Sequence, residues 1–483
     1  MKKILQLLIW LIAMLLIIIV VKTLLFRSHQ IKNEKAEIPD FGNECVIHLS
    51  QAVKFKTVSY ATDSPVDTSA FSGYIDFIQK SYPLVASKLT REVFNKFSLL
   101  YTWKGKKPSL KPMILMAHLD VVPPGDSASW QKMPFSGEND GSFIWGRGTL
   151  DDKAAMISIL ESVEKLLKEG YEPERTIYLS FGHDEEISGM RGAGTIAETL
   201  KERGVKADFI LDEGMAVTIG MVPMIKKPVA LIGAAEKGYL SVKLTAEMAG
   251  GHSSTPEKES ALILINRAVY RLVNNQMKPR ITGPVDDFIK YIGPEMPFYA
   301  RAIFANKWLF KGIILNIYKG SGSGNALIRT TTAPTIIQAG VKDNMVPAKA
   351  EAVINFRILP GETSKDVLIH IEKIVADPRV KISSFDSEKS EATPSSPASS
   401  EGFQFILKSL GQTFPEAIIS PTLMLGSSDS HHFTSISENI FRFAPIVVNS
   451  EDMARIHGLN ERTLISDFKR GIGFYYQLIK NCN

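Results

Sequence analysis

Cysteine is nearly absent from this chain: 483 residues hold two, Cys45 and Cys482. That excludes a disulfide-stapled scaffold and any thiolate-rich metal site of the CxxC type. The two could pair only if the fold brings their α-carbons within reach, and both read as free thiols. Any metal must then be held by imidazole and carboxylate. Excess charge is scarce as well. Lys and Arg outnumber Asp and Glu by only 56 to 51, and Lys2, Lys3, Lys22 and Arg27 all flank the first apolar run. No basic block with interleaved aromatics occurs elsewhere, so nucleic-acid binding has no electrostatic basis. No repeat of fixed period is evident either.

What is present begins with residues 4–21, which carry no charge and only Gln6 as a strongly polar side chain. Eighteen such residues suffice to cross a bilayer, and no small-residue cleavage site follows, so 1–27 reads as an uncleaved transmembrane anchor rather than a signal peptide. Lys2 and Lys3 favour a cytoplasmic N-terminus, which puts the bulk outside the cytoplasm, whether lumenal, periplasmic or extracellular. The polar segment 28–40 reads as a tether. The rest is too long for one ordinary core, and its 45% hydrophobic and 22% charged residues are those of a globular chain.

From 41 to 237, apolar runs (113–118, 176–181, 209–212) alternate with helical spacing (153–169, 193–203), which implies an α/β unit with a mostly parallel sheet. Ligands of such sheets sit beyond the carboxyl ends of the strands. Residues 238–386 change pattern. Strands at 239–247, 335–341, 348–358 and 380–385, with helices at 260–273 and 364–376, predict a small inserted α+β unit. Within it, 275–329 is rich in aromatic and apolar residues. It reads either as plain core or as an enlargement of the small unit into an apolar wall or membrane-facing patch. Residues 387–400, mostly Ser, Pro, Glu and Ala, predict a surface loop that returns the chain to the first unit, 387–483.

The chemistry-bearing residues follow the strands. His118 and Asp120 end an apolar strand with both side chains on one side. His118 can ligate a metal while Asp120 orients its ring, although a satisfied core histidine would look the same. Asp151 and Asp152 follow a Gly-rich turn at the start of a helix, where a cation or helix capping would account for them. Asp184, Glu185 and Glu186 follow the next strand, where one acid can be a ligand and its neighbour a base; His183 reads as structural. Asp212 and Glu213 end a fourth strand, and His457 lies near the C-terminus. Singly each has a bland explanation. Jointly they are an oxygen and nitrogen donor set suited to a pair of zinc-like ions.

The order His-Leu-Asp (118–120), Gly-Arg-Gly-Thr-Leu-Asp-Asp-Lys (146–153), Asp-Glu-Glu (184–186), Gly-Gly-His-Ser-Ser (250–254) and Arg-Ile-Leu-Pro-Gly (357–361) resembles the M20 metallopeptidases from about residue 41 onward. Leu-Asp-Glu-Gly (211–214) and Ile-His-Gly-Leu-Asn-Glu (456–461) resemble its carboxypeptidase S and PM20D1-like branch. The resemblance implies a zinc-peptidase-like α/β catalytic domain with an inserted ferredoxin-like lid. It makes Asp151 the carboxylate bridging two divalent ions, zinc by preference. His118 and Asp212 complete one ion, Glu186 and His457 the other, with Glu213 the alternative to Asp212. Glu185 becomes the base, Asp120 the orienting acid, and the Asp151–Asp152 peptide cis. His252 is implied to stabilise the oxyanion, in its own chain or across a homodimer, and Asn344 and Arg357 to grip a substrate carboxylate. The implied activity is cleavage of an amide beside a free C-terminal carboxylate in small peptides, or hydrolysis or synthesis of N-acyl amino acids. A non-catalytic tethered binding protein is the rival, yet no ligand or base is missing. One departure stands out: Asp429-Ser430-His431-His432 replaces the Asp-x-Arg of many relatives, which implies weaker or pH-dependent carboxylate recognition.

Overall fold

The computed structural model describes residues 1–31, 36–62, 64–385 and 389–482. Its larger sheet has ten strands. At its centre, Ile177–Gly182, Met113–His118, Phe209–Asp212 and Ile440–Arg442 run parallel as neighbours. The continuous apolar run at 113–117 follows from burial on both faces. Met113, Leu115 and Ala117 point to one side, where they pack with Met156, Leu160 and Val163 of the helix Lys153–Lys168. Ile114 and Met116 point to the other, against Ile196 and Leu200 of the helix Ala193–Glu202. Each such fully buried side chain contributes about 1.5–3 kcal/mol.

The sheet as a whole is mixed rather than mostly parallel, with five parallel and four antiparallel pairings. The hairpin Thr90–Phe94 with Ser98–Trp103 supplies two of the antiparallel pairings at one edge. Its outer strand, Thr-Arg-Glu-Val-Phe, is largely exposed, so it lacks the apolar run that marks the central strands. The remaining two arise where Val229–Glu236 meets Val217–Thr218 and Ile440–Arg442.

The smaller sheet is wholly antiparallel, ordered Thr331–Ala339, Lys349–Ile358, Gly238–Glu247, Val380–Ser384. With helices Ala261–Asn274 and Ser364–Val375 covering one face, its βαββαβ order is ferredoxin-like and encloses a separate core. Residues 283–328 fold as four helices, Gly283–Ile292, Phe298–Ala305, Lys307–Lys319 and Gly322–Ile328. They do not enlarge the small sheet's core: Val285, Ile289, Phe304 and Ile314 pack with Leu423 and Ala235 of the large sheet.

The serine-rich stretch is a largely exposed loop, as its composition predicts, but two of its side chains turn inward. Residues 386–388 lie outside the described residues, but Thr393 and Ser396 are buried. The Thr393 hydroxyl accepts from the Glu236 amide at 2.9 Å. The Ser396 hydroxyl accepts from the Ile440 amide at 2.7 Å and donates to its carbonyl at 2.9 Å. Hydroxyls here satisfy buried main chain, a use composition does not disclose. Cys45 and Cys482 are free and buried, and burial pushes the Cys45 thiol up to about 12. One described helix, Lys2–Leu25, is long and apolar enough to cross a membrane.

Candidate metal centre

Because the central strands are parallel, His118, the segment after Gly182, and Asp212 emerge at one edge of the sheet. The Gly-rich turn 146–152 and the turn bearing His457 close over that edge. His118 Nε2 lies 2.9 Å from one oxygen of Asp151, and His457 Nε2 lies 3.0 Å from the other. His457 Nε2 is also 3.3 Å from Glu186. His118, Asp151 and Glu186 each offer a donor atom within 4.8 Å of the others. Two donors on one tetrahedral zinc ion, at bonds near 2.0–2.2 Å, stand roughly 3.3–3.6 Å apart, so a cation fits each gap once these spacings widen by a few tenths of an ångström.

Asp120 organises both neighbours. The His118 Nδ1 lies 3.0 Å from the Asp120 carbonyl and 3.3 Å from its carboxylate, which fixes the proton on Nδ1 and turns Nε2 toward Asp151. The same carboxylate accepts from the amides of Glu185 (3.1 Å) and Glu186 (3.2 Å), holding the single turn Glu185–Ile187. Helix capping does not explain the paired aspartates. Asp152 occupies the N-cap without a side-chain cap bond, and the Asp151–Asp152 peptide is cis.

The electrostatics call for cations. Asp151, Asp152, Glu185, Glu186, Asp212, Glu213 and Asp429 crowd one region. Burial first, and like-charge repulsion second, raise Glu185 and Glu213 well above the carboxylate range. Asp152 and Asp429 each keep one buried oxygen with no hydrogen-bond partner. Such a set is costly alone and is neutralised by divalent ions, so the residues fit a metal pair. Asp212 is less free than its neighbour. Its oxygens accept from the Glu213 amide (2.9 Å) and the Ser430 amide (2.8 Å), whereas the half-buried Glu213 side chain feels the charges of Asp151, Asp152 and Asp212.

His252, Asn344 and Arg357, which the resemblance implies to face substrate, belong to the small unit. His252 is exposed on a two-stranded ribbon, Gly251–His252 with Met345–Val346, and the Ser253 amide donates to the Asn344 carbonyl at 3.1 Å. The Ser254 amide donates to His252 Nδ1 at 3.1 Å, so a neutral ring carries its proton on Nε2. Arg357 sits at the end of its strand with its guanidinium 4.8 Å from the Tyr239 ring centre. At the departure from Asp-x-Arg, burial lowers His431 and holds His432 down to about 4. Burial thus disfavours the charged form of both rings, unlike an arginine in the same place. His183, read as structural, lies 2.6 Å from the Ser98 hydroxyl between Phe71 and Phe97.

Sequence reading passed over Glu461 as a positioning residue. One of its oxygens accepts from the amides of Gly148 (2.9 Å), Leu150 (2.7 Å) and Asp151 (3.3 Å); the other accepts from Arg147 at 2.5 Å. Arg147 also donates to the Gly458 carbonyl at 2.9 Å. The Asp151 turn and the His457 turn are therefore one hydrogen-bonded unit. Gly458 is required in it, since a Cβ there would meet the Ala454 carbonyl oxygen at 2.1 Å. The one sequence cue was an acid four residues after a candidate histidine.

A histidine and carboxylate cluster at the carboxyl edge of a mixed α/β sheet, with a ferredoxin-like insert, defines a metal-dependent hydrolase. The sequence profile described as "Peptidase family M20/M25/M40" matches residues 114–481, and the chain belongs to that family of metallopeptidases. It is 40% identical over 480 residues to a "Probable carboxypeptidase S-like 2" of Dictyostelium discoideum, covering 97% of this chain and 92% of that one. It is also 40% identical over 437 residues to the "N-fatty-acyl-amino acid synthase/hydrolase PM20D1" of Xenopus tropicalis, covering 90% and 85%. Among solved structures, the M20 metallo-carboxypeptidase Sso-CP2 of Sulfolobus solfataricus superposes with a TM-score of 0.66 at 18% identity, covering 90% of this chain and 98% of that one. A dinuclear metal-binding M20 peptidase of Bacillus subtilis gives 0.55 at 12% identity, covering 91% and 98%.

Proposed function

We propose that this protein is a dinuclear zinc hydrolase that cleaves an amide bond beside a free C-terminal carboxylate in small peptides. The observation that carries the reading is the Asp151 carboxylate, whose two oxygens are divided between His118 and His457. In this reading His118, Asp151 and Asp212 would hold one ion, and Asp151, Glu186 and His457 would hold the other. When bound, such a pair supplies Lewis acidity that makes water acidic and polarises the scissile carbonyl. Asp120 keeps His118 oriented and holds Glu185 in place. Glu185 takes the proton from the attacking water and returns it to the leaving amine. From the small unit, spanning 238–386 as a lid, His252 offers Nε2–H to the developing oxyanion. Arg357 and Asn344 grip the substrate carboxylate, the guanidinium by paired hydrogen bonds. Lid closure must bring those three to the cluster.

The test is Glu185→Gln in purified, metal-loaded protein. A fall in kcat of about 10²–10⁴-fold with unchanged metal content is expected. Equal turnover of dipeptides and N-acyl amino acids before and after the change refutes the mechanism.

A second substrate class shares the same chemistry, since an N-acyl amino acid also places an amide beside a free carboxylate. Hydrolysis or synthesis of N-fatty-acyl amino acids is supported by the PM20D1 relative and by the exposed apolar helices of 298–319. A panel from acetyl to oleoyl amino acids, run beside dipeptides, separates the two. In the same reading the helix Lys2–Leu25 anchors the chain in a membrane with its body outside the cytoplasm. The exposed edge strand Thr331–Ala339, with Ile336 and Ile337 facing solvent, offers a pairing surface for a homodimer.

A further inference from the structure

Helices Phe298–Ala305 and Lys307–Lys319 begin where the N-terminal helix ends, and the join is pinned. Asn306, buried between the two, donates to the Ile19 carbonyl at 3.2 Å and reaches the Thr23 hydroxyl at 3.4 Å. Arg301 donates to the Phe26 carbonyl at 2.5 Å, and the Lys22 ammonium stands 5.2 Å from the Trp308 ring centre. Beyond the helix the chain stays on the body. His29 stacks on Tyr291 at 4.9 Å, and the Gln30 amide exchanges hydrogen bonds of 2.9 and 2.8 Å with the main chain of Ile419.

The outer side of these helices is apolar. Leu309, Ile313 and Ile317 recur at intervals of four on Lys307–Lys319, and with Trp308, Phe298 and Tyr299 they are between 41% and 64% exposed. The inner side is already satisfied, with Ile314 fully buried in the insert's own core. A surface helix bathed in water turns polar residues outward, so a second apolar face needs a covering. Exposed Lys311 and Lys319 flank it. A mixture of aromatic, aliphatic and lysine side chains suits the boundary between lipid head groups and hydrocarbon.

Length fixes the level. The apolar run 4–21 extends about 27 Å as a helix, close to the thickness of a bilayer's hydrocarbon core. If it spans that core, Lys22 lies among the head groups and Trp308, whose ring the ammonium faces, lies at about the same depth.

We infer that the outer face of helices 298–305 and 307–319 rests in the head-group layer of the bilayer that the N-terminal helix crosses, giving the body a second, interfacial contact with the membrane. The inference rests on the anchor reading above. Continuity with the anchor selects lipid over a second copy of the chain, because the pinned join puts lipid beside this face already.

The experiment uses the full-length chain in phosphatidylcholine and phosphatidylglycerol vesicles with or without brominated acyl chains. Ile313→Cys and Ile317→Cys carry an environment-sensitive fluorophore, and Lys381→Cys on the exposed strand Val380–Ser384 is the control. The unmodified chain reports any labelling of the buried native thiols. Brominated lipid should quench most of the fluorescence at 313 and 317 and none at 381. Protein that floats with vesicles but shows unquenched labels at 313 and 317 overturns the interfacial contact while the anchor stands. Failure to float with vesicles overturns the anchor and the contact together. Cross-linking of 313 between copies without quenching identifies a second copy as the occupant, and also overturns it.

Discussion

At the carboxyl edge of the large sheet, His118, Asp151, Glu186 and His457 come from four separate segments and still stand within 2.9–3.3 Å of one another in pairs. At the tip of the small sheet, His252 and Asn344 are hydrogen-bonded within their own ribbon and face solvent. The metal half is rigid because Asp120 and Glu461 spend their carboxylates on main-chain amides, locking the turns that carry the donors. The ribbon that carries His252 and Asn344 is exposed and shares no such lock. The difference implies that metal binding and turnover answer to different parts of the molecule.

The sharpest way to break that comparison is Asp151→Ala. Both ions should be lost and activity should fall to background, read by metal analysis beside a rate assay. Asp212→Ala should cost one of the two ion equivalents; loss of that equivalent in Glu213→Gln instead transfers the role to Glu213. Chelation should also lower thermal stability, by about 3 kcal/mol for each ion held at a hundredfold excess over its Kd.

Next in size is His252→Ala, for which kcat should fall about 10²–10³-fold at unchanged metal content. Metal loss in this variant would show that the ribbon already belongs to the metal half. Glu461→Gln should weaken metal affinity about 10–100-fold through the turn it holds, although Glu461 is not itself a ligand. Competition against a chromophoric chelator reads that change. The smallest effect is expected from Ser396→Ala, which leaves the Ile440 amide buried without its acceptor. A loss of about 1–3 kcal/mol in denaturant unfolding, with kcat and metal content intact, would confine that residue to the frame.

Legibility followed burial. The run Met-Ile-Leu-Met-Ala before His118 announced a strand covered on both faces, and its end announced a site, because parallel strands deliver their carboxyl ends together. Glu461 was not legible in the same way. Its partners at 147–151 are more than three hundred residues away in sequence, and nothing local separates a carboxylate that wraps a turn from one on a solvated loop. The outer strand of the 90–103 hairpin was missed because its exposed polar residues carry no periodic signal. The serine-rich segment is the loop its composition implies, but which of its hydroxyls pair with buried main chain is not legible in it. Hydroxyls that pair with buried amides have the composition of a loop.

By itself the sequence determined the donor chemistry, the order of its segments, the α/β unit with its small α+β insert and the apolar N-terminal helix, since each depends on local pattern or on residue type. Tertiary structure alone decided that Asp151 shares its oxygens between two imidazoles, that Glu461 binds the two turns into one unit, and that helices 283–328 pack on the large sheet. Those outcomes depend on contacts between segments distant in the chain. Their free energy comes from excluding water jointly, which no single segment can do.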